Sequence, residues 1–210
     1  MQWPVVNSDR NQPDSGDYSD RKPEIADDCQ HSCVYCAITE ALNGGLDNFH
    51  VEHYRPKSKF DELRKTITNL FLACAICNRF KSNDWPNEPD GNLDVVHYPD
   101  PSEQSYDHYF EIDSKAGLLR SETVAGKYLL AKLFLNRPQL IRLRRVVAAA
   151  NGICELRREL QEHARELVAS KSANKPALMM EVLETVNRLA DIAEKMRSVA
   201  PYRIADVRRG

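Results

Sequence analysis

No stretch of the chain approaches the ~18–20 consecutive apolar residues that a membrane span needs. The opening residues, MQWPVVNSDRNQPDSGDYSD, hold no apolar core of the kind a secretory leader carries. A net charge is almost absent too: 29 Lys and Arg stand against 31 Asp and Glu, so bulk electrostatics does not declare a polyanion partner. Tandem repeats and long low-complexity tracts are missing, which leaves one large domain or two small ones as the organisation of 210 residues. These absences set the expectation of a cytoplasmic protein without a membrane partner. In that compartment six cysteines favour metal binding over a disulfide framework.

What is present is unevenly spread. Residues 1–50 are acidic, while 53–81 and 120–158 are rich in Lys and Arg, so a nearly neutral chain can still offer a basic face to a phosphate backbone. Cys33 and Cys36 form one Cys-x-x-Cys pair, and Cys74 and Cys77 form a second about forty residues later. Two such pairs are a strong zinc signature, because four thiolates complete a closed tetrahedral site. Cys29 and His31 lie close enough to substitute for one ligand. Cys154 sits on an apolar helical stripe, where a small buried hydrophobe is expected.

Periodicity and breakers give the elements. Residues 1–28 are polar and broken by Pro4, Pro13, Gly16 and Pro23, so an irregular arm is expected there, anchored by Trp3, Val5 and Val6. Residues 29–42 read as a knuckle and a short helix, closed by Asn43-Gly44-Gly45. Short strands are expected over 49–54 and 69–74, then a helix from Ala75 to about Asn83 that places Asn78 and Lys81 on one face. Residues 84–107 read as a surface connection in which His97 has no chemical role, and 108–120 as a hairpin turning near Gly117. Helices follow over about 122–136, 138–170 and beyond Pro176. In the second, Leu143, Val147, Ala150 and Cys154 form one stripe, beside Ile153, Leu156, Leu160, Ala164 and Leu167; in the last, Met179, Val182, Val186, Leu189, Ala193 and Met196 form a seam. This helical half shows no catalytic constellation, and its basic run of Arg137, Arg142, Arg144 and Arg145 is a candidate nucleic-acid contact.

The stretch between the cysteine pairs carries the chemistry. His53 alone would be a surface or packing histidine; here it follows Glu52, precedes Arg55-Pro56-Lys57 and is enclosed by the zinc pairs. The run His50-Val51-Glu52-His53-Tyr54-Arg55-Pro56-Lys57-Ser58, then Asn69-Leu70, then Cys74-x-x-Cys77-Asn78-x-x-Lys81, resembles the HNH endonucleases with a ββα-metal fold. Within that family it resembles more closely the HNH subunit of Septu-type and retron-associated phage-defence systems. The resemblance covers about residues 29–85 and continues more loosely through YFEIDSKAG and LFLNRPQLIRLRR.

That resemblance implies roles. His53 would be the general base, Asn69 would brace the loop between the strands, and Glu52 and Asn78 would hold the catalytic ion. Where many relatives carry histidine this chain has Asn78, and an oxygen-donor pair suits Mg²⁺ or Mn²⁺. Lys81, Arg79, Arg55 and Lys57 are the candidate phosphate contacts, with His50 a weaker candidate at the metal or phosphate. Adjacent strand residues point to opposite faces, so Glu52 and His53 share a site only if the strand bends or ends there.

The expected fold is α+β: an irregular arm over 1–28, a zinc-stapled ββα module over 29–85, a connection and hairpin over 86–121, and a helical region over 122–210 for partner docking. The expected function is a metal-dependent endonuclease acting on DNA as an antiphage effector, with a structural Zn²⁺ and a catalytic Mg²⁺ or Mn²⁺. The resemblance names an ABC-type or SMC-like ATPase as partner. An RNA-cleaving toxin and a non-catalytic zinc adaptor are the competing readings.

Overall fold

A computed structural model describes residues 3–6, 10, 17–89, 91–169 and 175–197. The chain divides into two compact units, residues 1–141 and 142–210. Among the described residues no helix is long and apolar enough to cross a membrane.

The first unit is built on a two-stranded antiparallel sheet. Strand β1 (Phe49–His53) pairs with β2 (Leu70–Cys74) in the register Phe49↔Cys74, Val51↔Leu72, His53↔Leu70. Every residue of β2 is buried, which is why its sequence reads as an unbroken apolar run. Helix α2 (Ala75–Lys81) starts directly from the end of β2, with the Cys74 sulfur accepting the Cys77 N–H as its N-cap. Strand, loop, strand and helix thus give a ββα unit, with helix α1 (Lys22–Asp28) against β2.

A second hairpin, β3 (Glu111–Asp113) and β4 (Leu118–Arg120), turns through Gly117 at φ 73°, a left-handed position that glycine occupies without strain. Helix α3 (Val124–Lys132) is N-capped by Thr123, whose Oγ1 accepts the Gly126 N–H at 3.0 Å. Two long helices, α4 (Pro138–Ala169) and α5 (Lys175–Arg197), complete the chain. A small α+β module followed by long helices is therefore the architecture.

Several expectations need correction. The arm is ordered where it is described: Trp3, Val6 and Arg10 are buried and α1 occupies its end, whereas Val5, expected as an anchor, is exposed; residues 1–2, 7–9 and 11–16 lie outside the described residues. No α-helix follows the first cysteine pair, because Ala37 takes φ 57°; the segment is a tight knuckle bridged between Ser32 and Thr39, ending in a 3-10 turn at Glu40–Leu42. The expected helix over 122–136 stops at Lys132, before Phe134 at φ 48°. The connection over 84–107 is not simply surface: Trp85, His97, Tyr98 and Tyr106 are buried in it. His97 is hydrogen-bonded to Val95 O and Tyr109 Oη.

In the second unit α4 and α5 run antiparallel, joined by Arg188–Glu159 at 3.1 Å and His163–Glu181 at 3.7 Å. The shielded face of α5 carries Val182, Thr185, Leu189 and Ile192. Met179, Val186 and Ala193, expected in the seam, are exposed, and the side chain of Met196 lies outside the described residues. On α4, Leu143, Val147, Ile153, Leu156 and Leu160 are shielded; Ala150, Ala164 and Cys154 are exposed, and the Leu167 side chain lies outside the described residues. Cys154 is thus not the buried hydrophobe its stripe suggested.

Candidate metal centre and active site

The sulfurs of Cys33, Cys36, Cys74 and Cys77 all lie within 4.8 Å of one another, and all four residues are buried. A tetrahedron of thiolates about 2.3 Å from a zinc ion has sulfurs ~3.8 Å apart; Cys36 Sγ and Cys74 Sγ stand 3.8 Å apart. The cluster fits a structural zinc with no position left open. The two alternative ligands are elsewhere. Cys29 Sγ accepts the Leu72 N–H at 3.3 Å, and burial pushes its thiol up to about 11. His31 is exposed between Glu40 at 2.7 Å and Asp27 at 2.9 Å, whose carboxylates raise its pKa.

One face of α2 lies against β1 and forms two rungs. Asn78 Nδ2 meets His50 Nδ1 at 2.9 Å. One turn on, Lys81 Nζ reaches Glu52 Oε1 at 2.8 Å and donates to His53 O at 3.1 Å. Tyr35 Oη donates to the same Glu52 oxygen at 3.1 Å. Burial pushes the Glu52 carboxyl above its ordinary value, against the pull of Lys81 and Tyr35. Asn78 and Lys81 do share a face, as their spacing predicts, but each has its own partner on β1.

Lys81 is fully buried, its Nζ 5.4 Å from the Tyr98 ring centre. Its expected role as a phosphate contact is therefore corrected to that of counter-ion for Glu52. Removing one partner of a buried pair leaves an uncompensated charge, at about 3–5 kcal/mol. Lys81→Met is expected to lose stability on that scale in urea denaturation, and Glu52→Gln in the same chain to restore part of it. Equal stability of Lys81→Met and the unaltered protein would show that the pair contributes nothing.

His53 occupies the other side of the strand end. Its Nε2 lies 2.9 Å from Arg64 O, a carbonyl that only accepts, so the ring carries its proton on Nε2 and keeps Nδ1 as a lone pair. The Tyr18 ring packs edge-on at 4.8 Å. Burial holds the imidazole below its ordinary pKa, with Lys57, Lys81 and Arg64 adding to the effect. Asn69 secures the loop that carries Arg64: its Oδ1 accepts the Arg55 N–H at 2.7 Å, and its Nδ2 donates to Arg55 O at 3.0 Å and Leu63 O at 3.2 Å. The asparagine thus fixes the carbonyl next to the one that orients His53.

The surface cations are distributed around this framework. Arg79 lines an open cavity of about 430 Å³ with His50, Ala75, Ile76 and Asn78. Arg55 is paired with Glu88 at 2.9 Å, and Lys57 donates to Tyr18 Oη at 3.1 Å. Of the basic run, Arg137 lies on the cysteine cluster and Arg144 is buried, while Arg142 and Arg145 are exposed. Tyr18, Tyr35 and Arg137 did not stand out in the sequence as parts of these sites; nothing in their local pattern links them to residues so distant along the chain.

Comparison with family models matches residues 33–84 to the family described as HNH endonuclease, a minority of the 210-residue chain. Searches of curated proteins and of solved structures found no match. Residues 33–84, with the ββα unit and the four-cysteine cluster inside them, form an HNH endonuclease domain.

Proposed function

We propose that the protein is a metal-dependent endonuclease that hydrolyses phosphodiester bonds of DNA, with His53 as general base. The observation that carries this reading is the tautomer of His53. Arg64 O binds its Nε2 proton, Asn69 supports that loop, and burial keeps the ring neutral at pH 7. A neutral imidazole with an open Nδ1 suits removal of a proton from an attacking water.

Asn78 uses Nδ2 on His50, which leaves its Oδ1 as a donor for a hard cation. Glu52 Oε1 is held by Lys81 and Tyr35, so Oε2 is the oxygen the carboxylate would offer beside Asn78. A divalent ion there would neutralise charge developing on the scissile phosphate. Arg79, on the same cavity, the half-buried Arg55 and the exposed Lys57 are the side chains we assign to phosphate contact.

The resemblance of residues 49–81 to HNH subunits of phage-defence systems supports an effector role beside an ABC-type or SMC-like ATPase. Met179, Met180, Leu183 and Val186 are exposed on α5 and would be the surface that such a partner covers. Unchanged capture of the ATPase by Leu183→Glu would rule that face out.

Full-length protein should nick supercoiled plasmid with Mg²⁺ or Mn²⁺ and not in excess EDTA. Cleavage of RNA alone would replace the DNA reading with the toxin reading. A folded, metal-loaded protein that cleaves no substrate would favour the adaptor.

A further inference from the structure

Four thiolates around a divalent zinc leave a net double negative charge, here on ligands that are all buried. Buried charge is costly without a partner. Two cations of the ββα unit are engaged elsewhere, Lys81 on Glu52 and Arg55 on Glu88. The compensating group comes from outside the matched domain. Arg137, 60 residues beyond Cys77, donates to Cys77 Sγ from both Nη1 and Nη2 at 3.5 Å. Its Nη2 also lies 3.6 Å from Cys36 Sγ and 3.7 Å from Cys74 Sγ.

The guanidinium is held on both sides. Nη1 donates to Leu133 O at 3.2 Å, and Leu133, Leu135 and Leu140 are fully buried around it in sequence. The neighbouring Asn136 grips β4 like a strand partner, accepting the Leu119 N–H at 2.9 Å and donating to Leu119 O at 2.8 Å. Arg137 is therefore delivered to the sulfurs by packed structure, at little cost in side-chain freedom.

We infer that Arg137 belongs to the metal centre, supplying the counter-charge of the four thiolates and restraining both loss of the ion and attack on the sulfurs. The inference rests on zinc occupying the cysteine cluster. N–H donors draw electron density from the sulfurs, and it is the thiolate that reacts with electrophiles. The flat fork of arginine keeps Nη2 on the sulfurs while Nη1 also holds Leu133 O, a fixed pair of donors that a lysine ammonium lacks.

The test uses full-length protein in the zinc-loaded form. Zinc affinity is measured by competition with a chromogenic chelator, and zinc release is followed after addition of N-ethylmaleimide. Arg137→Gln is expected to weaken affinity about 10–100-fold, the usual range for outer partners of metal ligands, and to accelerate release. Arg137→Lys should fall between the two, and it carries the test if the glutamine variant does not fold. Leu133→Ala, which loosens the same region without touching sulfur, should keep wild-type affinity. In cobalt-substituted protein the sulfur-to-metal absorption bands should shift with Arg137→Gln and not with Leu133→Ala. Wild-type affinity in either Arg137 variant overturns the inference, as does equal weakening by Leu133→Ala. A wild-type protein that binds no zinc would instead overturn the zinc reading on which it rests.

Discussion

Stripping the ion from the four-cysteine cluster is expected to unfold the nuclease unit, not only to silence it. The cluster joins the knuckle after α1 to the junction of β2 and α2, fixing four thiols from two distant segments at one point. Structural zinc contributes about 10–16 kcal/mol of apparent binding free energy in small zinc domains, as much as the whole stability of a typical domain, about 5–15 kcal/mol. Cys74→Ser should have the same consequence through loss of a thiolate ligand alone, since a serine hydroxyl still accepts the Cys77 N–H as N-cap of α2. The measurement is circular dichroism with elemental analysis: one zinc per folded chain is expected, and cooperative loss of structure on chelation. A chain that keeps its melting temperature after complete removal of metal would show that the thiols pack as ordinary core.

His53→Ala should lower the cleavage rate by roughly 10²–10⁴-fold, the usual contribution of general-base catalysis, while zinc content and folding stay intact. The ring makes one hydrogen bond, to Arg64 O, and one edge contact, to Tyr18, so little of the fold depends on it. Lys81→Met provides the contrast, since Lys81 sits in the core of the same unit and its loss acts on stability first. Single-turnover rates on plasmid, with thermal melts of each variant, separate the two effects. If His53→Ala loses activity only in step with its stability, the histidine is a packing residue and the proposed chemistry is wrong.

The parts of the site that were legible in the sequence are those set by local spacing. Paired cysteines, an apolar run for β2 and a three-residue step between Asn78 and Lys81 each follow from geometry within a few residues. Which partner each side chain takes was not legible, because it depends on the register of β1 against α2. That register gives Glu52 to Lys81 and His50 to Asn78, where the family resemblance implied Glu52 with Asn78. Arg10 shows the same limit: nothing in the polar, proline-broken arm marks it as an anchor, yet its guanidinium lies 4.6 Å from the Phe71 ring centre and donates to Ile67 O at 2.9 Å. On the long helices, apolar periodicity located α4 and α5 well, but it could not decide which members of a stripe are shielded. Cys154 and Met179 are exposed, whereas Leu143 and Val147 on the one stripe and Val182 and Leu189 on the other are shielded.

The reach of Arg137 to the cysteines also orders events during synthesis. At about 5–20 residues per second, a ribosome adds this arginine some 3–12 s after Cys77, given the 60 residues between them. For that interval the nascent chain holds all four thiolates and His53 without the guanidinium and without Leu133, Leu135 and Leu140 of the core. The residues proposed to carry the chemistry are thus made early, and the ones that lock them in place come late. A polypeptide released before residue 137 therefore carries the whole stretch matched to the HNH family and lacks the guanidinium that lies on its cysteine cluster.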